Sequence, residues 1–313
     1  EIEKFPINLY LKQPIYTFAK KYDTPLVMPK IQHSIIAHRG CPYPCNFCYQ
    51  IFGRNIRYRS VKNIIDEVIY LYEKHGVRFV IMGIDLFLAN KNFVYEFCDE
   101  YIKLGLHNKV KWSSAGRANL MDKDLITRIK EAGCILLGYG FESASPKILE
   151  VIDKKITPAQ IRNAVKLTRE AGINMTYSFM LGQPGETKET IAQTVDFIKE
   201  NNLYVSRFFI ATPYPGTRLY NYALEAGKIP DKEKFVRELE SATKFIVNLT
   251  DMTDEEFLDL HHKATIVVKS HYKKKFPEIY LKKKIKQIFK LNKNNDNVLQ
   301  SARRAAYPDW FCL

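Results

Sequence analysis

Between residues 38 and 50 the chain reads His-Arg-Gly-Cys-Pro-Tyr-Pro-Cys-Asn-Phe-Cys-Tyr-Gln, which sets Cys41, Cys45 and Cys48 at C-x-x-x-C-x-x-C spacing. Three thiolates this close in sequence can hold one metal centre. A fully ligated 4Fe-4S cluster takes four cysteines, and no fourth follows at ligand spacing, so a cluster here would keep one iron free of protein ligands. An open metal position is where chemistry can happen, as in catalytic zinc sites that reserve a place for water or substrate. Gly40, Pro42 and Pro44 are turn formers that let the backbone bring the thiols towards one another. The residues alone leave two other readings open: zinc, with His33 or His38 as fourth ligand, and a structural disulfide.

At 313 residues, 46% hydrophobic and 13% aromatic, the chain can bury the core of one large or two ordinary domains. No stretch approaches the roughly 18 consecutive apolar residues of a membrane-spanning helix. The opening Glu-Ile-Glu-Lys-Phe-Pro has no secretory pattern, so the expected compartment is the cytoplasm, where thiols stay reduced and can bind metal. The first residue is Glu and not Met, as in a fragment of a longer protein. The net charge of +14 invites an anionic partner. Much of that excess lies between Lys263 and Lys293, far along the chain from the cysteines.

Residues 1 to 32 carry Pro6, Pro14, Pro25 and Pro29 and read as a lead-in segment. His33 to Arg39 then fits a buried strand, and Ser60 caps a helix carrying Val61, Ile64, Ile65, Val68, Ile69 and Tyr72 at helical spacing. The strand-then-helix unit recurs. Strands are expected at Arg78 to Gly83, Val110 to Ala115, Ile135 to Gly140, Asn174 to Leu181 and Tyr204 to Ile210. Helices are expected at Lys91 to Leu104, Lys123 to Ala132 after Asp122, Pro158 to Gly172 after Thr157, Lys188 to Glu200, and Thr217 to Glu225. Six β/α units in alternation predict a parallel sheet with helices outside it, curling into a partial (β/α)6 TIM-like barrel; a flatter doubly wound sheet is the alternative.

Beyond Gly227 the alternation stops, and an α-helical C-terminal extension is expected. Thr253 and Glu256 form a capping box for a helix to about Lys275, and Pro277 precedes a second, basic helix. In that helix Leu281, Ile285, Ile288 and Phe289 share one face among Lys282, Lys283, Lys284, Lys286 and Lys290, a pattern suited to an anionic partner or to packing on the barrel.

Active sites of parallel β/α barrels form at the C-terminal ends of the strands. The residues expected there are the cysteine loop, Asp85, Arg117, Glu142, the turn Gly182-Gln183-Pro184-Gly185-Glu186, and Thr212 to Thr217. Cys98 and Cys134 sit in apolar surroundings and read as core residues, Cys312 lies beside the C-terminus, and His261 and His262 read as surface or cap residues.

These motifs resemble the radical S-adenosylmethionine enzymes, whose hallmark is C-x-x-x-C-x-x-C with an aromatic before the last cysteine, here Phe47. The resemblance covers about residues 33 to 230, through Arg57-Tyr58-Arg59-Ser60, Gly116-Arg117-Ala118, Ala132-Gly133-Cys134, Tyr139-Gly140-Phe141-Glu142-Ser143 and Leu181-Gly182-Gln183-Pro184-Gly185-Glu186-Thr187. It is similar to the branch in which the radical domain follows a cobalamin-binding domain, a branch rich in methyltransferases and cyclases, although no D-x-H-x-x-G motif occurs here. The resemblance implies a core over residues 33 to 226 and an extension over 227 to 313. It implies a 4Fe-4S cluster on Cys41, Cys45 and Cys48, S-adenosylmethionine on the fourth iron, and an electron donor such as flavodoxin or ferredoxin. Phe47, Asp85, Arg117, Glu142, Gly182, Pro184 and Glu186 are the implied cofactor contacts, with Arg117 on the methionine carboxylate and Glu142 on the ribose or amino group. Asp85 is followed by Leu86 where the family often has a second acidic residue. Cobalamin-dependent methyl transfer is one reading; a cobalamin-free oxidoreductase, cyclase or tRNA-modifying enzyme is another; a non-catalytic metal-binding scaffold is a third.

Overall fold

The computed structural model describes residues 32 to 277 except 84, 240 and 241. The basic helix expected after Pro277, most of the lead-in segment and Cys312 lie outside the described residues. The elements are β1 (Gln32–Ile36), β2 (His38–Arg39), β3 (Arg57–Tyr58), α1 (Val61–His75), β4 (Phe79–Gly83), α2 (Lys91–Lys103), α3 (Leu106–Lys109), β5 (Lys111–Gly116) and α4 (Lys123–Glu131). They continue with β6 (Cys134–Glu142), α5 (Pro146–Val151), α6 (Pro158–Glu170), β7 (Asn174–Leu181), α7 (Lys188–Glu200), β8 (Phe209–Ile210), α8 (Arg218–Glu225), α9 (Lys232–Glu238) and α10 (Asp254–Lys275). Six strands form one sheet in the order β1-β4-β5-β6-β7-β8, with parallel register from β1 to β6 and between β7 and β8. The expected α/β class, with six β/α units, is borne out.

The described residues divide into two compact units, one of 32–44, 50–140 and 159–176, the other of 45–49, 141–158 and 177–277. In the first, α1 begins where Ser60 accepts the Asn63 amide and buries Val61, Ile64, Ile65, Val68 and Leu71. Trp112 of β5 anchors an aromatic core with Phe87 and Phe97, ring centroids 6.0 and 5.7 Å away, and its indole N–H donates to the Ala132 carbonyl. A buried indole needs that acceptor, so the residue fixes both packing and register. In the second, Met180, Ala211, Leu219, Ala223, Ile229, Phe235 and Leu249 form the core. Capping boxes at Thr187–Thr190 and Thr253–Glu256 start α7 and α10.

Two expected strands differ from what is found. His33 to Arg39 is interrupted at Ala37, because His38 and Arg39 leave β1 and pair antiparallel with Tyr58 and Arg57. Tyr204 to Ile210 supplies only the two residues of β8, since the Tyr204 amide is taken by the Tyr177 hydroxyl and cannot enter a ladder. Helix α9, capped by Asp231, was outside the expectation.

Helix α10 belongs to the core of its unit. It packs on α7, and its Phe257 is fully buried against Gly182. We predict that Phe257→Ala costs about 3 to 5 kcal/mol of stability, the usual cost of an aromatic-sized core deletion, read as a lowered urea midpoint.

Candidate active site

In the first unit the cysteine loop is closed at its neck. The β2–β3 ribbon joins its two ends, and the Cys41 amide donates to the Gly53 carbonyl at 3.1 Å. Gly40 has φ +93, and a Cβ there would lie 2.2 Å from the Asn55 carbonyl oxygen, so only glycine fits. Its amide donates to Asp85 Oδ2 at 2.7 Å. Asp85, expected as a cofactor contact, is therefore placed as an anchor of the loop backbone. The Arg117 guanidinium carbon lies over the Tyr43 ring, 3.5 Å from its centroid, and the Asn119 amide donates to the Tyr43 hydroxyl at 3.2 Å. Cation–π stacking of this kind fixes the plane of the guanidinium. The Tyr58 hydroxyl donates to the Phe87 carbonyl and accepts from the Asn90 amide. Burial raises its pKa, the Asn90 amide opposes the rise, and charge at Cys41 adds to it, which puts Tyr58 in the neighbourhood of that thiol.

In the second unit, Asn46 fastens the segment of Cys45 and Cys48. Its amide donates to the Ile152 carbonyl, its side chain donates to the Val151 carbonyl, and its own carbonyl accepts from the Leu219 amide. Phe47 packs on the core of this unit, and Lys154 Nζ lies 5.4 Å from the centre of its ring. Lys154 Nζ also donates to Glu142 Oε1 at 3.2 Å, and Ser178 donates to Glu142 Oε2 at 3.3 Å. Both charged residues are buried. Glu142 has φ +66, a conformation that costs a non-glycine residue about 1 to 3 kcal/mol and gathers at functional sites. Asp153 and Lys155, on either side of Lys154, are also left-handed, and Asp153 accepts from Arg218 at 2.7 Å.

The turn after β7 uses Gly182 at φ +93 and Gly185 at φ +69. The Glu186 carboxylate folds back to accept the Gly182 and Gln183 amides, and Pro184 is buried with it. Glu186 thus holds the turn from within. Burial pushes its pKa to about 7, against the pull of those two amides.

Cys41 and Cys45 are half-buried and Cys48 is exposed. Among the described residues no group of three His, Cys, Asp or Glu side chains is gathered at metal-binding range. Thiols alone suit iron–sulfur chemistry, and the donor set fits a three-cysteine cluster. His33, weighed for zinc, instead feels Glu67 and His75 of α1. Cys98 and Cys134 are core thiols as expected, with burial raising both, Cys134 to about 12. His262 is exposed, as expected, whereas His261 is half-buried in α10 and bonds to the Phe208 carbonyl at 3.1 Å. Sequence reasoning missed Lys154, since a lysine in Asp-Lys-Lys reads as solvent-facing. Its one signal was its place shortly after Glu142, at the end of α5.

Residues 35–198, more than half of the chain, match the model of the Radical SAM superfamily. The chain belongs to that superfamily. Membership implies a 4Fe-4S cluster and S-adenosylmethionine as cofactors of this radical SAM enzyme. Among similar proteins are an uncharacterized methyltransferase of Pyrococcus horikoshii, 37% identical over 61% of this chain and 41% of the relative, and the anaerobic magnesium-protoporphyrin IX monomethyl ester cyclase of Cereibacter sphaeroides, 34% identical over 63% of this chain and 33% of the relative. The chain spans less than half the length of each. A structure of the radical S-adenosylmethionine methyltransferase TsrM from Kitasatospora setae, with cobalamin and a [4Fe-4S] cluster bound, aligns with TM-score 0.61 at 17% identity, covering 82% of this chain and 58% of that one. That likeness shows the fold, the partial barrel expected from the β/α alternation. Among the described residues no helix is long and apolar enough to cross a membrane.

Two outcomes follow from the buried carboxylates. Replacing Lys154 with Met strands the Glu142 charge and should cost about 3 to 5 kcal/mol in chemical denaturation, as for other buried pairs broken on one side. Glu186 binds its proton more tightly folded, about 7 against 4.5 for the free group, so its contribution is full below pH 4.5 and is lost as pH rises to 7. Glu186→Gln, neutral at every pH, should remove up to about 3 kcal/mol of that decline in urea titrations between pH 4.5 and 8.

Proposed function

We propose that this chain is the radical-generating part of a methyltransferase or cyclase that works with a cobalamin domain, with Cys41, Cys45 and Cys48 as ligands of the cluster. The observation that carries the reading is the loop itself: three cysteines and no other thiol in their segment, on a backbone that Gly40 and Asp85 hold in place. The bound cluster supplies the electron that cleaves the sulfonium of S-adenosylmethionine to methionine and a 5'-deoxyadenosyl radical, which takes hydrogen from an unactivated carbon.

The protein's own groups bind and orient. Arg117, over the Tyr43 ring, suits the methionine carboxylate, which its guanidinium can meet with two parallel N–H donors. Glu142 offers buried oxygens to the ribose or amino group and would exchange its present partners for them. The turn from Gly182 to Glu186 offers an open backbone to adenine or methionine, with Glu186 keeping its shape. Phe47 wedges the segment between Cys45 and Cys48 onto the core, and Asp85 acts on the loop through Gly40.

The methyltransferase and cyclase relatives support the choice of reaction class. A cobalamin-free oxidoreductase or tRNA-modifying enzyme is the second reading, favoured by the net charge of +14. In either case residues 33 to 226 form the catalytic core, and a flavodoxin or ferredoxin in the cytoplasm is the fitting electron donor. The basic stretch beyond Pro277 would serve an anionic partner.

The test is anaerobic purification and iron–sulfide reconstitution. Wild-type protein should hold about four irons, and Cys45→Ala should lose the cluster where Cys98→Ala keeps it. A full cluster in the Cys45→Ala protein would overturn the ligand assignment. Glu142→Gln should keep its iron yet bind S-adenosylmethionine ten- to a hundred-fold more weakly, the worth of about 1.5 to 3 kcal/mol for a bond to a charged group, with a matching loss of dithionite-driven 5'-deoxyadenosine.

A further inference from the structure

The β2–β3 ribbon has two unlike faces. Residues directly opposite on an antiparallel pair share a face and successive ones alternate, so His38 and Tyr58 stand on one side and Arg39 and Arg57 on the other. The first pair is packed inward, with His38 1% exposed and its ring stacked on Tyr58 at 5.5 Å. The second pair is exposed. Like charges set directly opposite destabilise a strand pair, and an acid at either position would have relieved this one.

The surroundings pin these cations without neutralising them. The Arg39 guanidinium lies 5.6 Å from the centre of the Phe52 ring, and Arg57 donates to the Phe52 and Asn55 carbonyls, each at 3.2 Å. Arg54, exposed two residues beyond Phe52, donates to the Gln50 side chain at 3.2 Å. Among the described residues none of the three meets an acid, whereas other cations of the same unit do: Arg59 with Glu67, Lys62 with Asp66, Lys103 with Glu100 and Arg128 with Asp99. From Thr24 to Ile65 the chain holds no Asp or Glu at all. Guanidinium groups already held in place lose little freedom on meeting an anion.

The three arginines stand on the backbone that carries Cys41. Arg39 comes two residues before it, and the Cys41 amide donates at 3.1 Å to the carbonyl of Gly53, which lies between Phe52 and Arg54. Ile51, 68% exposed, adds an apolar side chain to the same returning segment. Arginines beside an exposed apolar residue match a protein–protein contact, where arginine is enriched and charge steers the encounter. Phosphate recognition alone gives no role to Ile51.

We propose that Arg39, Arg54 and Arg57, with Ile51, form the docking surface for an acidic electron-donor protein that reduces the cluster Cys41 helps to bind. The donor is oxidised by one electron and the cluster reduced by one, with no covalent bond made or broken. Electron-transfer encounters of this kind use small, salt-sensitive contacts. The proposal rests on the cluster assignment above.

The experiment uses the full chain, with an acidic flavodoxin as the probe. Titration of oxidised flavodoxin at low and high salt reads binding and needs no cluster, while flavodoxin-driven 5'-deoxyadenosine formation is read on reconstituted protein. Wild type should bind, and more weakly as salt rises. The triple variant Arg39→Gln, Arg54→Gln, Arg57→Gln should bind about ten-fold more weakly, with a similar fall in the flavodoxin-driven rate at sub-saturating donor. Arg54→Glu alone, a reversal at a side chain bonded to Gln50, should weaken binding in the same direction. A control of equal charge, Lys282→Gln, Lys284→Gln, Lys286→Gln in the basic stretch, should bind as wild type does. Wild-type affinity in either arginine variant, an equal loss in the control, or no binding by the wild type would each overturn the proposal. So would a triple variant that keeps flavodoxin and loses a single-stranded RNA probe, which would assign the surface to nucleic acid. Arginine-dependent flavodoxin binding by a wild type that takes up no iron would reject the cluster assignment alone and sustain the surface.

Discussion

Gly40 has no room for a side chain, and much of the cysteine loop follows from that. A Cβ would sit 2.2 Å from the Asn55 carbonyl, and φ is +93, so glycine is the one residue that lets the strand of Cys41 pass so close to the returning strand. Once there, its amide meets Asp85 just beyond β4. One hydrogen bond thereby ties the loop to the end of a central strand, and the β2–β3 ribbon closes the neck behind it. The backbone leading into Cys41 inherits its position from this geometry.

The carboxylates expected to meet the cofactor are all engaged by the protein itself: Asp85 with Gly40, Glu142 with Lys154 and Ser178, Glu186 with the Gly182 and Gln183 amides. A buried charge left alone would be costly, so each is compensated locally. For Asp85 and Glu186 the compensation is a backbone amide, which fixes a loop or turn in place. For Glu142 it is the Lys154 ammonium and the Ser178 hydroxyl, both side-chain groups.

Much of this was legible in the sequence, because it depended on local patterns. The cysteine spacing, the β/α alternation, and the caps at Ser60, Asp122 and Thr253 are set by residues within a few positions of each other. The ribbon of His38–Arg39 with Arg57–Tyr58 was not, since two-residue strands carry no periodicity and their pairing spans the whole loop. Lys154 was hidden because its burial depends on a turn with two left-handed neighbours, and Asp-Lys-Lys gives no sign of that. Phe257 supports the Gly182 turn from a helix some seventy-five positions away, a contact that only packing reveals. The inward turn of Glu186 was likewise invisible, since a glutamate after Pro-Gly fits a ligand contact and a backbone brace equally well.

The central claim is that three cysteines leave one iron open for S-adenosylmethionine. The measurement that meets it most directly is electron-nuclear double resonance on the reduced, reconstituted protein mixed with S-adenosylmethionine carrying 15N in the amino group and 17O in the carboxylate. A strong coupling of both labels to the cluster is the predicted result. A four-iron protein whose cluster spectrum shows neither label would contradict the account.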